Sequence, residues 1–241
     1  MKEKSPFFPR LAAHYLQPDN FFESFFNNEN NTYGWGPEQT YPSGTEIIKQ
    51  DTPANAVYLV VRGMVKLTRL ERDGNEVIAG LRHRHWLIGA PPVLLNKPYS
   101  FTAITLTNCV LRCISREGFL TQVKINELFS QHLLRLLSLE IFSHTMKIVL
   151  LGSMSARERL SRFLYEMICK LEQSTTLKKP VELHKPIKLN VPLKYKEIAQ
   201  LIAITPEHFS RMLKEMEEQG IITRDKGHLI VKNPMRLLQE N

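Results

Sequence analysis

Residues 194–219 read KYKEIAQLIAITPEHFSRMLKEMEEQ, and this stretch decides the fold of the C-terminal part of the chain. Thr205 is a suitable N-cap, and Pro206 then takes the first position of a helix. The apolar residues on both sides of this point recur at helical spacing and predict two helices with one buried face each: Ile198, Leu201, Ile202, Phe209, Met212, Leu213 and Met216. The segment therefore predicts a helix, a short turn and a second helix.

The outer surface of the second helix is polar near its beginning. Glu207, His208, Ser210, Arg211 and Lys214 would face outward there. A recognition helix places its base-reading side chains in this region. Gly220 would end the helix, and residues 221–224 and 228–231 flank a polar turn as in a β-hairpin. The whole segment predicts a winged helix-turn-helix, and double-stranded DNA is the expected partner.

The N-terminal part of the chain is rich in short strands. The predicted strands follow one another with no intervening helix: 46–48, 56–61, 64–70, 76–81, 99–105 and 110–115. Such a run favours an antiparallel β-roll or barrel-like sandwich. With the helices that follow, the fold class is α+β, with a roll, a long helix and a winged helix-turn-helix in that order.

A long helix is predicted from about residue 117 to residue 151. One stripe repeats with coiled-coil spacing and would form a seam between two copies of the chain: Leu134, Leu137, Ile141, His144, Ile148 and Leu151. A second stripe, Phe129, Leu133 and Leu136, would pack on the roll. A helix with two apolar faces needs two partners, so we expect a homodimer. One wide stripe within a monomer is the alternative.

The long helix is predicted to stop at Gly152 and Ser153. Ser155 would cap a new helix that runs to about Glu172. We place the domain boundary here, which gives an effector-sensing domain over residues 1–152 and a DNA-binding domain over residues 153–241. Residues 173–192 read as a loop with short strands.

Composition bounds the class of protein. The chain has 241 residues with a formal net charge of +8, which permits phosphate binding. No run is long enough for a membrane span, and no signal peptide opens the chain. The three cysteines match no metal spacing, and their odd number fits a reducing compartment. We expect a cytoplasmic protein without a metal site. The common enzyme motifs are absent, so the chain is not expected to be an enzyme.

Two sets of residues resemble the Crp/Fnr superfamily of bacterial transcription regulators. In the roll they are Gly44, residues 58–65 and Asp73-Gly74; in the C-terminal domain they are residues 197–199 and 205–211. By this resemblance Arg211 donates to a guanine, Glu207 accepts from a cytosine amine, and Ser210 contacts a neighbouring base. Arg–guanine and Glu–cytosine pairs also fit major-groove geometry.

The resemblance further implies a palindrome of two TTGA(T/C)-like half-sites, one for each subunit, and contact with RNA polymerase if the protein is an activator. Several residues around the helix-turn-helix are candidate contacts to DNA phosphates: Lys194, Lys196, Thr205, His208, Lys214, Arg224 and Lys226.

The cyclic-nucleotide pattern of that superfamily is altered in this sequence. Members that bind cyclic AMP carry a Gly-Glu-Leu turn for the ribose and an Arg-Ser pair for the phosphate. Here Ala90 takes the place of the glutamate and Tyr99 that of the arginine. Loss of the arginine removes a charge-assisted contact worth about 2 kcal/mol or more. We therefore expect a pocket that does not bind cyclic AMP.

The roll is expected to bind a small effector other than cyclic AMP. The candidate pocket residues are Trp86, Gly89, Ala90, Lys97, Tyr99, Ser100, Phe101, Leu137, Ile141 and His144. An iron–sulfur cluster is not expected, because residues 1–108 contain no cysteine.

A haem sensor stays open as an alternative, since His83 and His85 lie two apart on one face of a predicted strand and His144 lies on the seam. The other interpretation of His83 and His85, which lie next to Arg82 and Arg84, is an exposed basic strand end. A constitutive regulator without any effector is a further alternative.

A shorter similarity concerns the halorespiration branch of the same superfamily, whose members bind chlorinated aromatic acids in the roll. It rests on residues 18–22 and on Leu87-Ile88-Gly89. The mechanism that these features indicate is a population shift. An effector in the roll would change the packing of the seam helices, and the recognition helices would then reach a separation of about 34 Å, one turn of DNA.

Overall fold

The computed structural model describes residues 34–174, 185–189, 191–225 and 228–239. The chain divides into two compact units, one that ends at Phe142 and one that begins at Ser143. The division falls inside the long helix. The boundary at residues 152 and 153, which the Gly152-Ser153 pair suggests, stays a prediction.

The first unit contains two antiparallel sheets of four strands each. One sheet has the order β1-β8-β3-β6, from β1 (Gln39–Tyr41), β8 (Cys109–Ser115), β3 (Ala56–Arg62) and β6 (Leu87–Ile88). The other has the order β2-β7-β4-β5, from β2 (Glu46–Ile48), β7 (Thr102–Thr105), β4 (Val65–Leu70) and β5 (Glu76–Arg82). The predicted antiparallel roll is confirmed.

The core of this unit is built from the inward faces of these strands. Val57, Leu59 and Val65 are fully buried, and Leu111 and Ile114 of β8 are nearly so. Alternation of buried and more accessible residues along β7 is what an antiparallel sheet with one covered face requires.

A short helix interrupts the run of strands, so the expectation that no helix intervenes is wrong. Helix α1 (Ala90–Leu95) follows β6 and starts with two prolines, Pro91 and Pro92, in its first turn. Proline is tolerated there because the first backbone N–H groups of a helix have no intrahelical acceptor. Gly89 precedes it at φ 88°, a conformation that glycine adopts without strain.

The long helix is two helices rather than one, which corrects the predicted continuous span. Helix α2 (Arg116–Ile125) and helix α3 (Glu127–Ser153) meet at Asn126. The Asn126 backbone leaves the helical region, and its side-chain oxygen accepts a hydrogen bond of 3.0 Å from the Phe129 N–H. Asn126 therefore caps α3.

The inner stripe of α3 lies on the roll as predicted. Phe129, Leu133 and Leu136 are buried in the same core cluster as the strands. The ring of Phe129 packs edge-to-face on Phe119 of α2, with 5.7 Å between the ring centres.

The second unit is a winged helix-turn-helix, which confirms the predicted fold. Its helices are α4 (Ala156–Ser174), α5 (Tyr195–Leu201), α6 (Pro206–Glu218) and α7 (Arg236–Gln239). The wing is a sheet of order β10-β11-β9, from β10 (Ile222–Asp225), β11 (His228–Val231) and β9 (Ile187–Leu189). Ser155 caps α4, and its hydroxyl accepts from the Glu158 N–H at 3.2 Å. Among the described helices, none is both long and apolar enough to cross a membrane.

Candidate DNA interface and effector pocket

Helix α6 is fixed to the second unit by one fully apolar face. Phe209, Met212, Leu213 and Met216 are all buried, as the spacing predicts. The Phe209 ring packs edge-to-face on Tyr195 of α5, with 5.4 Å between the ring centres. Burial of four large side chains on one face fixes which residues of α6 point outward.

The first turn of α6 has the predicted cap. The Thr205 hydroxyl accepts a hydrogen bond of 3.2 Å from the His208 N–H, and Pro206 occupies the first turn. Glu207, Ser210 and Arg211 are exposed on the face opposite the core, whereas His208 is half-buried beside them. Three of the outward residues at the start of α6 thus form one accessible polar surface.

The three candidate base-reading residues differ in the hydrogen bonds that they form within the chain. Hydrogen bonds from the Glu207 N–H and from the Thr205 hydroxyl lower the pKa of the Glu207 carboxyl, which is therefore ionised at neutral pH. The Ser210 hydroxyl donates to the Pro206 carbonyl at 3.0 Å. Within the described part of the chain, Arg211 has no hydrogen bond or ion pair, so its five donors are available to a ligand.

The candidate phosphate contacts are mostly exposed. Lys194, Lys196, Thr205 and Lys214 are accessible, and Lys214 lies 3.9 Å from Glu218. Lys226 lies outside the described residues.

Arg224 of the wing differs from the other candidate phosphate contacts. Its Nε donates to Glu217 at 2.9 Å, and a second side-chain bond joins the same carboxylate. This contact raises the pKa of Arg224 and lowers that of Glu217. The guanidinium of Arg224 is therefore already engaged in the free protein.

Tyr99 is part of the core of the roll. Its side chain is 5% exposed, and its hydroxyl donates to the Ala56 carbonyl at 2.6 Å and accepts from the Ala56 N–H at 3.1 Å. Burial raises the pKa of the phenol, which stays neutral. The phenol therefore satisfies both polar groups of Ala56 at the start of β3, and it presents no charge to a ligand.

The neighbours of Tyr99 fall into two groups. Gly89 lies directly against the phenol, since a Cβ on Gly89 would approach a Tyr99 ring carbon to 2.9 Å. Ala90 and Trp86 are buried as well. Lys97 and Ser100, by contrast, are exposed, and Phe101 is half-buried against the core. The candidate pocket residues are therefore divided between the core and the surface.

A largely buried arginine side chain joins β5 to α3, a role that no local pattern in the sequence indicates. Arg82 forms an ion pair with Glu140, and the two side chains are only 12% and 18% exposed. The guanidinium lies 5.0 Å above the Trp86 ring, and burial lowers its pKa while Glu140 opposes that shift. Arg82 itself is therefore not exposed, whereas its neighbour Arg84 is. The interpretation of His83 and His85 as an exposed basic strand end is wrong, because both residues are half-buried.

The two histidines near Arg82 lie beyond the strand rather than on one of its faces, because β5 ends at Arg82. His83 packs edge-to-face on Trp86, with 6.2 Å between the ring centres, and His85 has a positive φ of 72°. His144 is exposed on α3. The described residues contain no group of three or more His, Cys, Asp or Glu side chains that could hold a metal ion.

The outer stripe of α3 is open to solvent in the single chain. Leu134, Ile141 and Ile148 are each about two-thirds exposed, at 65%, 68% and 70%. Leu151 is 37% exposed, His144 is exposed, and Leu137 is partly buried against the roll core. Large aliphatic side chains at this spacing are the composition of a helix–helix seam.

Comparison with known proteins identifies the family. Residues 38–126 match the family model of the cyclic nucleotide-binding domain, and residues 158–240 match that of the Crp-like helix-turn-helix domain. Together the two matches cover more than half of the chain. The transcriptional activator protein FnrL of Cereibacter sphaeroides is 26% identical over 84% of this chain and 79% of its own.

The chain belongs to the Crp/Fnr superfamily of transcription regulators. The cyclic AMP receptor protein of Thermus thermophilus is also 26% identical, over 83% of this chain and 85% of its own. The structure of FixK2 from Bradyrhizobium japonicum has the same fold, with a TM-score of 0.66 and 24% identity over 84% of this chain and 96% of that one. Membership in this family confirms that the chain is a DNA-binding regulator rather than an enzyme.

One of the two matched domains is named for cyclic nucleotides, but two residues of the cyclic-nucleotide pattern are replaced in this chain. Ala90 offers no carboxylate to a ribose, and the buried phenol of Tyr99 offers no charge to a phosphate.

Proposed function

We propose that the protein binds DNA as a homodimer and reads a palindrome of two TTGA(T/C)-like half-sites, one with each copy of α6. The observation that carries this proposal is the exposed set Glu207, Ser210 and Arg211 on a helix whose other face is buried. An ionised Glu207 accepts from a cytosine amine, and Arg211 donates two hydrogen bonds to a guanine.

The exposed outer stripe of α3 supports the homodimer. Its leucines and isoleucines cost free energy in water, and a second copy of the same stripe buries them symmetrically. The palindromic site follows from this symmetry, because two equal recognition helices read two equal half-sites.

The test is a titration of the full-length protein into a fluorescent duplex that carries the TTGA palindrome. Fluorescence anisotropy measures binding at several salt concentrations. We expect a preference of at least about 10³ over a scrambled duplex and a steep fall in affinity with salt. Equal affinity for both duplexes would show that α6 does not read this site, and affinity without salt dependence would instead indicate that the helix-turn-helix contacts protein. Analytical ultracentrifugation measures the dimer directly.

We further propose that a small effector other than a cyclic nucleotide shifts the protein between two states. The ion pair between Arg82 and Glu140 supports this, since it connects the end of β5 to α3 one residue before Ile141 of the seam. A change in the roll that moves Arg82 therefore acts on the helix that carries the seam.

Removal of bound ligand separates this switch from the constitutive alternative. Protein that has been denatured, freed of small molecules and refolded is compared with natively purified protein on the same DNA. A switch predicts loss of specific affinity after refolding and its return with a cell extract of small molecules. Equal affinity of a correctly refolded dimer would establish the constitutive form. Cyclic AMP should produce no heat in calorimetric titration.

Activation of transcription through RNA polymerase is the regulatory outcome that we propose. It is supported by similarity to a relative named as a transcriptional activator. Run-off transcription from a promoter with the palindrome upstream tests it. Increased transcript supports activation, and decreased transcript indicates repression.

A further inference from the structure

The guanidinium of Arg159, in the first turn of α4, donates to three backbone carbonyls from two separate segments. Nη1 donates to the Met154 carbonyl at 2.8 Å. Nε donates to the Ile202 carbonyl at 2.8 Å, and Nη2 donates to the Ala203 carbonyl at 3.3 Å. One side chain thus joins the segment after α3 to the turn between α5 and α6.

The accepting carbonyls lie just after helices, where no N–H of the same helix is available to them. Met154 directly follows the last residue of α3, and its N–H still donates to the Leu150 carbonyl at 2.9 Å. Ile202 is the C-cap of α5, and Ala203 follows in a left-handed conformation with φ 54°. Carbonyls at helix ends need outside donors, and a planar guanidinium can serve several of them at fixed angles.

The first turn of α4 also reaches the other end of the recognition helix. Arg157 donates to the side-chain oxygen of Gln219, the C-cap of α6. Arg159 therefore acts on the turn before α6, and Arg157 acts at its end. The position of α4 is itself fixed, because Leu160 and Leu164 are fully buried.

We propose that Arg159 is a positioning residue that fixes the orientation of α6 relative to the C-terminal end of α3, and so sets the separation of half-sites that the dimer accepts. The second part of this inference rests on the proposed function, because it requires a dimer that reads two half-sites. Without Arg159 the turn at Ile202 and Ala203 loses its bonds to the segment at Met154. Helix α6 then samples a wider range of orientations.

The first test needs no DNA. Spin labels are placed on Val149→Cys in α3 and on Glu215→Cys in α6, two exposed positions, with the native cysteines replaced by serine. The labelled chain is mixed with an excess of unlabelled chain, so that most labelled homodimers carry one labelled subunit. Pulsed electron paramagnetic resonance then gives the distance distribution within the second unit. We expect a narrow distribution with Arg159 and a broad one with Arg159→Gln. An unchanged distribution in the folded Arg159→Gln protein would overturn the proposal.

The matched control is Arg162→Gln. Arg162 lies on the same helix but pairs with Glu166 at 3.0 Å. This variant should leave the distribution unchanged. Arg159→Lys keeps the positive charge but replaces the guanidinium with a single ammonium group. If Arg159→Gln is too unstable to measure, this variant should give a distribution of intermediate width.

The second test uses palindromes whose TTGA half-sites are moved apart or together in steps of one base pair. The protein with Arg159 should show one preferred separation. We expect Arg159→Gln to bind that site about tenfold more weakly, the effect of one misread base pair, and to discriminate less between separations. A merely structural arginine would lower the melting temperature and leave the shape of this profile unchanged, which would overturn the second part.

The two tests separate the failure of this inference from that of the proposed function. If the wild-type protein does not distinguish the palindrome from scrambled DNA, the proposed function fails. The distance distribution still decides in that case whether Arg159 positions α6.

Discussion

The polar residues at the start of α6 and Tyr99 in the candidate pocket of the roll differ in their exposure to solvent. On α6, Glu207, Ser210 and Arg211 are exposed, and the packing of the helix depends on other residues. In the roll, Tyr99 stands where cyclic-nucleotide receptors of the superfamily have an arginine, and it is buried and bonded to the backbone of β3. A matching residue can act on a ligand only if the fold leaves it free. The family residues on α6 are therefore available to a ligand, whereas Tyr99 contributes to the stability of the roll.

The largest expected effect is that of Tyr99→Arg, which restores the family arginine. The new guanidinium would lie in the core next to Ala56 and Gly89 without a carboxylate. An unpaired buried charge costs about 3–5 kcal/mol of unfolding free energy. Thermal and urea denaturation measure this loss.

Tyr99→Phe serves as the control for size. It removes the two hydrogen bonds to Ala56 and should cost about 1–3 kcal/mol. If Tyr99→Arg were stable and bound cyclic AMP, the claim that position 99 belongs to the core rather than to a ligand site would be wrong.

Glu140→Gln should have the next largest effect. It leaves the largely buried guanidinium of Arg82 without its carboxylate, and the expected loss of unfolding free energy is about 3 kcal/mol. A matched control is Glu38→Gln, because Glu38 pairs with Arg112 at 3.3 Å but is half-exposed. That pair should contribute less than about 1 kcal/mol. Equal losses for the two variants would show that Arg82 and Glu140 are no more than a surface pair.

The sequence predicts the elements whose signals are local. The two-residue period of the strands and the cap and apolar face of α6 are each contained in a few consecutive residues. Helix α1 escapes prediction because Pro91 and Pro92 resemble a turn, although proline at the first positions is equally a helix start. The break at Asn126 is not predicted, because the apolar residues on both sides of it have helical spacing. The cap is recognisable only from the hydrogen bond that the Asn126 side chain accepts in the folded chain.

The pocket is less predictable than the helix-turn-helix, for a physical reason. Tyr99 bonds to Ala56, 43 positions away, and Arg82 pairs with Glu140, 58 positions away. Neither partner has any periodic relation to the residue that it binds. The family pattern shows that an arginine is missing, but only the packing shows that the tyrosine in its place is used by the core.

Arg211→Ala tests the other half of the comparison. Removal of a bidentate bond to guanine should weaken binding to the palindrome by between about tenfold and 100-fold and relax the preference at that base pair. Arg211→Lys should recover only part of the affinity, because an ammonium lacks the planar fork. Lys214→Ala, a charge change at an exposed position on the same helix, is the control and should weaken all duplexes equally. If Arg211→Ala weakened binding to the palindrome and to scrambled DNA by the same factor, base reading by Arg211 would be contradicted.

Arg224→Ala should have the smallest effect. Arg224 is bonded to Glu217 in the free protein, so a phosphate must compete with a carboxylate that already accepts from it. If the guanidinium binds a phosphate in the complex, its removal should lower the slope of log affinity against log salt by about 1 in magnitude. If Arg224 stays paired with Glu217 in the complex, the slope should be unchanged. Glu217→Gln then distinguishes these outcomes, because a released Arg224 should steepen the slope and strengthen binding to every duplex.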